Sequence, residues 1–119
     1  MSSPVVRWQV NSSQPDVAAS FYATLLGWTV SQDNGMGYRE IRTGDAKGIN
    51  GGIWPAPPGQ GGLTQLFVEV PDIDARVAKA ASLGTKAIMP KAVLPDGGAV
   101  AVLLDPTGLT IGVCTLVKR

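Results

Sequence analysis

The feature that most constrains this 119-residue chain is a pattern that occurs twice, at a period of about 58 residues. In the first copy Val5–Val10 alternates and is rich in β-branched residues, which predicts a strand. Ser13 can then cap a helix, and Pro15 is tolerated in the first turn because those N–H groups lack partners anyway. Val17, Phe21 and Leu25 follow at four-residue spacing as one apolar stripe, and Gly27 ends the helix. Three short strands are expected near Trp28–Ser31, Tyr38–Arg42 and Ile49–Trp54, separated by "DNGMG" and "TGDAKG" turns.

"PAPPGQGG", residues 55–62, cannot sustain a helix or a central strand and reads as a linker. The pattern then returns. Gln65–Val70 predicts a strand, and Asp72 caps a helix carrying Ile73, Val77 and Ala81 that Gly84 closes. Strands near Lys86–Met89, Ala99–Leu104 and Leu109–Leu116 complete the copy, with "PDGG" at 95–98 as a loop or hairpin turn and "DPTG" joining the last two strands. Laying Arg7 on Gln65 brings Val10 onto Val68. The expected fold is therefore α+β: two βαβββ modules whose eight strands form an incompletely closed, barrel-like cleft with the helices outside. One domain spans 1–119, with module one at 4–54, the linker at 55–63 and module two at 64–117.

Composition narrows the function. Apolar residues make up 45%, charged residues 16%, and the formal charge is +1, a globular balance without the basic clusters of a nucleic-acid binder. The Lys118-Arg119 tail reads as a solvated end. A single cysteine, Cys114, excludes an internal disulfide and reads as a small core or cleft residue. Neither a signal-peptide pattern nor a membrane-length apolar run is evident, so a cytoplasmic location without a membrane partner is expected.

Strand alternation places Arg7 and Gln9 on one face of the first strand and Val6, Trp8 and Val10 on the other. In the second module Gln65, Phe67 and Glu69 share the cleft face, with Leu66, Val68 and Val70 against the helix. On the last strand Thr110, Gly112 and Cys114 face the cleft, while Leu109, Ile111 and Val113 pack on the other side. Trp54, beside the linker, is a candidate cleft wall, whereas Trp8 reads as packing; "GINGG" leads into no helix and so is no phosphate cradle. The expected ligand-binding set is Arg7, Gln9, Trp54, Gln65, Phe67, Glu69 and Thr110. The competing reading pairs Arg7 with Glu40 or Glu69 as a structural ion pair.

"VNSSQPDVAASFYATLLGW", "GINGGIWP", "FVEVPDIDARVAKAASLG" and "LLDPTGLTIGV", in that order and spacing, resemble the vicinal oxygen chelate superfamily of glyoxalases, extradiol dioxygenases and bleomycin-resistance proteins. Metal-using members take ligands from the first, fourth, fifth and eighth strands. The resemblance lays those positions on Arg7, on Gly51 or Gly52, on Gln65 and on Gly112. Arginine has no lone pair to give, glycine has no side chain, and a lone glutamine oxygen is a poor site by itself. The chain has no histidine at all. Hence no metal and no other cofactor is expected.

The resulting expectation is metal-independent binding of a small organic molecule, with an anionic one suited to Arg7, for sequestration or resistance. The alternative is a glyoxalase-like lyase or isomerase, or a dioxygenase-related enzyme, using Glu40 or Glu69 as base or an unrecognised metal site. A third reading closes the cleft and leaves an interaction subunit. The resemblance also implies a homodimer.

Overall fold

The computed structural model describes residues 3–32, 35, 37–59, 62–94 and 97–115. Parts of the "DNGMG", "PAPPGQGG" and "PDGG" segments, Leu116 and the Lys118-Arg119 tail lie outside the described residues. The elements run β1 (Val5–Ser12), α1 (Pro15–Leu26), β2 (Thr29–Val30), β3 (Arg39–Arg42), β4 (Gly51–Pro55), β5 (Leu63–Glu69), α2 (Ile73–Ser82), β6 (Ala87–Val93), β7 (Ala99–Leu104) and β8 (Thr110–Thr115). This is an α+β chain of two βαβββ modules with eight strands in mixed pairing. Two units can be described, residues 7–65 and residues 3–6 with 66–115. The tip of β1 thus goes with the later unit, where the Glu69 amide donates to the Pro4 carbonyl at 2.9 Å.

In the first unit the strand order is β2-β3-β4-β1. β1 and β4 run parallel, with Trp8 opposite Gly51, Gln9 opposite Gly52 and Asn11 opposite Trp54. β3 runs antiparallel to β4 and puts Glu40 opposite Gly52. The core holds Ile41 and Ile53, both at 0% exposure, because alternation sends them to the face opposite Glu40 and Gly52.

Helix α1 departs from expectation at both its start and its face. Its N-cap is Gln14, which makes no side-chain capping bond. Ser13 does not cap; Ser12 Oγ instead accepts from the Gln14 amide at 3.1 Å. Gly27 ends the helix in left-handed geometry, φ 72°, its amide bonded to Ala23. The apolar stripe Val17, Phe21 and Leu25 is exposed, at 62%, 57% and 62%. Ala18, Ala19, Tyr22 and Ala23 take the more sheltered positions. A face of small residues lets a helix lie closer to its sheet than valine, phenylalanine and leucine would. The choice is reinforced by Arg39, whose side chain is 12% exposed and holds Asp16 of the first helical turn at 2.7 Å. Tyr22 packs on Trp28 at 5.7 Å, and Trp28 on Trp8 at 5.2 Å.

The other unit has the order β5-β8-β7-β6, with β5 parallel to β8 and the remaining pairs antiparallel. Asp72 caps α2 as expected, accepting from the Ala75 amide at 3.1 Å. Val70, Ile73, Ala80, Ala99, Ala101, Leu103 and Val113 form its core, with Val68, Val77 and Ala87 packed against it. The α2 stripe therefore runs Ile73, Val77, Ala80, and Ala81 is exposed. Leu66, Ile111 and Leu109, expected inside, are 49%, 38% and 67% exposed. The 10-residue helix covers only part of the sheet, so residues at the start of β8 and beside it on β5 fall outside its footprint. In the turn between β7 and β8 the Asp105 carboxylate accepts from the Thr107 hydroxyl and amide, both at 2.7 Å, and from the Leu109 amide at 3.0 Å.

Candidate functional site

The register of the first unit gathers a polar face. Gln9, Gly52 and Glu40 stand in one row across β1, β4 and β3, and Asn11 and Trp54 stand in the next. Arg7 lies on the same side of β1, two residues before Gln9. At the centre of this face the amino acid is glycine, and what fills the space is Tyr38. A Cβ on Gly52 would overlap the Oη, Cζ and Cε1 atoms of Tyr38. The phenol can occupy this place over the strand only because no side chain rises there.

Arg7 donates through Nη2 to the Tyr38 hydroxyl and, at 3.4 Å, to the Gly51 carbonyl. Its guanidinium carbon stands 5.8 Å from the centre of the Tyr38 ring. Trp54 packs on this tyrosine, with ring centres 4.9 Å apart and a 48° tilt. Burial pushes the Tyr38 phenol above its ordinary value near 10; the Arg7 cation pulls it down, Glu40 pushes it up, and the bond from Arg7 pulls it down again. The net effect is an intact, protonated phenol at neutral pH.

The structural ion pair weighed for Arg7 does not form with Glu40. Glu40 is engaged by Arg42 Nε at 2.9 Å. The ion pairs among the described residues are Arg39–Asp16, Arg42–Glu40 and Lys91–Asp74, and Arg7 belongs to none of them. Its partners are neutral oxygens, so its charge is solvated by dipoles and not cancelled. Gln9 donates to the Asn11 side chain at 3.1 Å. Gln65 is buried on β5, 3% exposed.

In the second unit Phe67 is 5% exposed and lies against β8. A Cβ on Gly112 would stand 2.5 Å and 2.6 Å from two atoms of the Phe67 ring. Cys114 is buried, and Thr110 and Glu69 are half-buried. Both modules therefore repeat one device, an aromatic ring over a glycine of the last strand. A separate cavity of about 500 Å³ in this unit is lined by Thr85, Lys86, Leu104, Asp105 and Thr107 among others, and by none of the expected ligand residues.

Sequence reasoning placed Arg7, Gln9 and Trp54 together and missed Tyr38. The signal was present in the alternation of Tyr38, Glu40 and Arg42 and in the paired glycines of "NGG", but reading it requires the β3–β4 register. That register also separates the two glycines. Gly52 faces Arg7, while Gly51 backs onto Trp8.

The comparisons with known proteins agree with this architecture. Residues 8–114 match the glyoxalase-like domain model, and the chain belongs to that family. It is 36% identical over 105 residues to the protein named "Putative glyoxylase CFP32" in Mycobacterium bovis and in Mycobacterium tuberculosis, a match covering 86% of this chain. The chain spans about 40% of the length of those relatives. A hypothetical protein of Bacillus halodurans shares the fold with TM-score 0.69 at 14% identity, covering 100% of this chain and 98% of that one. Methylmalonyl-CoA epimerase of Mycobacterium tuberculosis does so at 0.65 and 18%, over 96% and 88% of the two chains. A glyoxalase/bleomycin resistance protein/dioxygenase superfamily member of Vibrio splendidus does so at 0.64 and 17%, over 97% and 100%. The fold is that of the vicinal oxygen chelate superfamily.

The metal centre of the superfamily's metal-using members does not fit these residues. Of the matching positions, Arg7 is a cation, Gly51 lies against the Trp8 indole and Gly52 beneath a phenol, Gly112 lies beneath a phenyl ring, and Gln65 offers one neutral amide. Among the described residues no three His, Cys, Asp or Glu side chains converge. No helix of the described residues is long and apolar enough to cross a membrane.

Proposed function

We propose that the protein binds a small organic molecule bearing an anionic oxygen, without a metal, on the polar face of β1, β3 and β4. One observation carries this reading: a half-buried arginine whose partners are a hydroxyl and a carbonyl. A cation held in this way keeps its attraction for an anion, and the guanidinium fork matches a carboxylate, phosphate or enolate. Gln9 and Trp54 border the same face, one as an adaptable amide and one as a flat apolar wall. Sequestration needs nothing more.

The test is calorimetric titration of the protein and its Arg7→Met variant with malonate and pyruvate. The expected result is binding by the natural sequence and a loss of about 2 kcal/mol or more in the variant, the value of a hydrogen bond to a charged group. Equal binding by both proteins refutes the reading.

A second reading is favoured by the name of the mycobacterial relatives: an enzyme acting on a carbonyl compound. Its base would be Glu69, because Glu40 is already held by Arg42. Deuterium wash-in from solvent beside the carbonyl of pyruvate, abolished by Glu69→Gln, is the expected outcome. We also take the working form to be a homodimer, since β2 and β6 each have a single strand neighbour and closed pairs are the commonest soluble assembly. Sedimentation as a monomer alone at tens of micromolar refutes this.

A further inference from the structure

We propose that Tyr38 is a ligand-binding residue: its phenol O–H and the Arg7 guanidinium act as joint donors to one carboxylate or enolate oxygen, and Gly52 is the seat that makes this possible. The inference rests on the binding reading above and adds to it the donor set and the class of oxygen recognised.

Three observations converge. The Tyr38 hydroxyl lies over Gly52, at the centre of the polar face, and any side chain at that position would expel it. The hydroxyl oxygen accepts from Arg7, which draws electron density from the phenol and makes its own hydrogen a stronger donor. That hydroxyl donates to the Gly51 carbonyl over 3.4 Å, a long contact that an anionic oxygen outcompetes. Burial supports the assignment, since it keeps the proton on the phenol. Trp54, tilted against the ring at 4.9 Å between centres, then restricts the donor, so less side-chain freedom is lost on binding.

The experiment titrates malonate and pyruvate into the natural protein and into Arg7→Met, Tyr38→Phe and Gly52→Ala. The tyrosine Cζ resonance is followed in a ¹³C-labelled Tyr22→Phe background, where Tyr38 is the sole remaining tyrosine. Tyr38→Phe keeps the ring and is expected to weaken binding about tenfold or more. Gly52→Ala keeps both donors but dislodges the phenol, and is expected to weaken binding to a similar degree. The Tyr38 Cζ resonance should move on saturation with either probe. If Tyr38→Phe or Gly52→Ala binds as tightly as the natural protein, or more tightly, while Arg7→Met does not bind, the proposal is overturned and the arginine reading stands. A Cζ resonance unmoved at saturation likewise overturns it. If the natural protein takes up neither probe, both readings fall. Should Tyr38→Phe not fold, Gly52→Ala and the resonance decide.

Discussion

Replacing Gly51 with alanine separates the two glycines of "NGG" by their energetics. A Cβ on Gly51 would stand 2.5 Å from Trp8 Cε2 and 2.5 Å from the Trp8 carbonyl oxygen. Ordinary carbon contacts lie near 3.5–4.0 Å, so the strands must part or the indole must move by about 1 Å. The indole cannot yield cheaply. It packs on Trp28 at 5.2 Å and donates to the Ile49 carbonyl at 2.6 Å. The carbonyl oxygen is backbone within the parallel β1–β4 ladder, directly opposite Gly51. Overpacking costs about 1–3 kcal/mol, and each ladder bond lost adds about 1 kcal/mol. Gly51→Ala should therefore cost about 3 kcal/mol, which for a chain of this size is roughly 12 °C in Tm. Gly52→Ala instead meets a side chain, nearest at Oη, Cζ and Cε1 of Tyr38, and is relieved when that ring gives up its Trp54 contact and its bond from Arg7 while the ladder stays intact. It should cost about 1–2 kcal/mol, partly offset by the reduced freedom of the unfolded chain. Urea unfolding followed by tryptophan fluorescence measures both. Equal losses for the two variants, or a Gly51→Ala protein within about 1 kcal/mol of the natural one, would refute the assignment of the two faces.

Other outcomes follow from the same structure. The folded state holds the Tyr38 proton more tightly than the unfolded chain, so stability is unaffected below the ordinary tyrosine value near 10 and falls as pH rises above it. Titration of phenolate absorbance in Tyr22→Phe should place Tyr38 above that value, and a midpoint at or below it contradicts the burial argument. Serine substitutions at the exposed Val17, Phe21 and Leu25 should each change the unfolding free energy by about 0.5 kcal/mol or less. Ile41→Ala, at a fully buried position, should cost about 2–5 kcal/mol, and denaturant melts of the four variants compare them. Equilibrium dialysis against Zn, Ni, Mn and Fe(II) should leave no stoichiometric metal, and about one tightly held ion per chain would contradict the reading of the four glyoxalase-type positions.

What the sequence determined by itself was whatever rests on local periodicity and on the stereochemistry of single residues. The two βαβββ modules follow from alternation and four-residue spacing, the stop of α1 from Gly27, and the cap of α2 from Asp72. The unsuitability of Arg7, of Gly51 or Gly52, and of Gly112 as metal ligands needs only their chemistry. Tertiary structure decided which of two plausible faces an element buries. Val17, Phe21 and Leu25 form a good apolar stripe, yet Ala18, Ala19, Tyr22 and Ala23 occupy the sheltered side, and Asp16 of the first helical turn meets Arg39 of β3. It also decided the partner of Arg7. Tyr38 is 31 residues away, and only the register of β3 on β4 and of β4 on β1 carries its hydroxyl across Gly52 to the guanidinium. Periodicity is a property of neighbours along the chain, whereas register is a choice among pairings that differ by long-range contacts, and a shift of one residue would have turned Tyr38 to the opposite face.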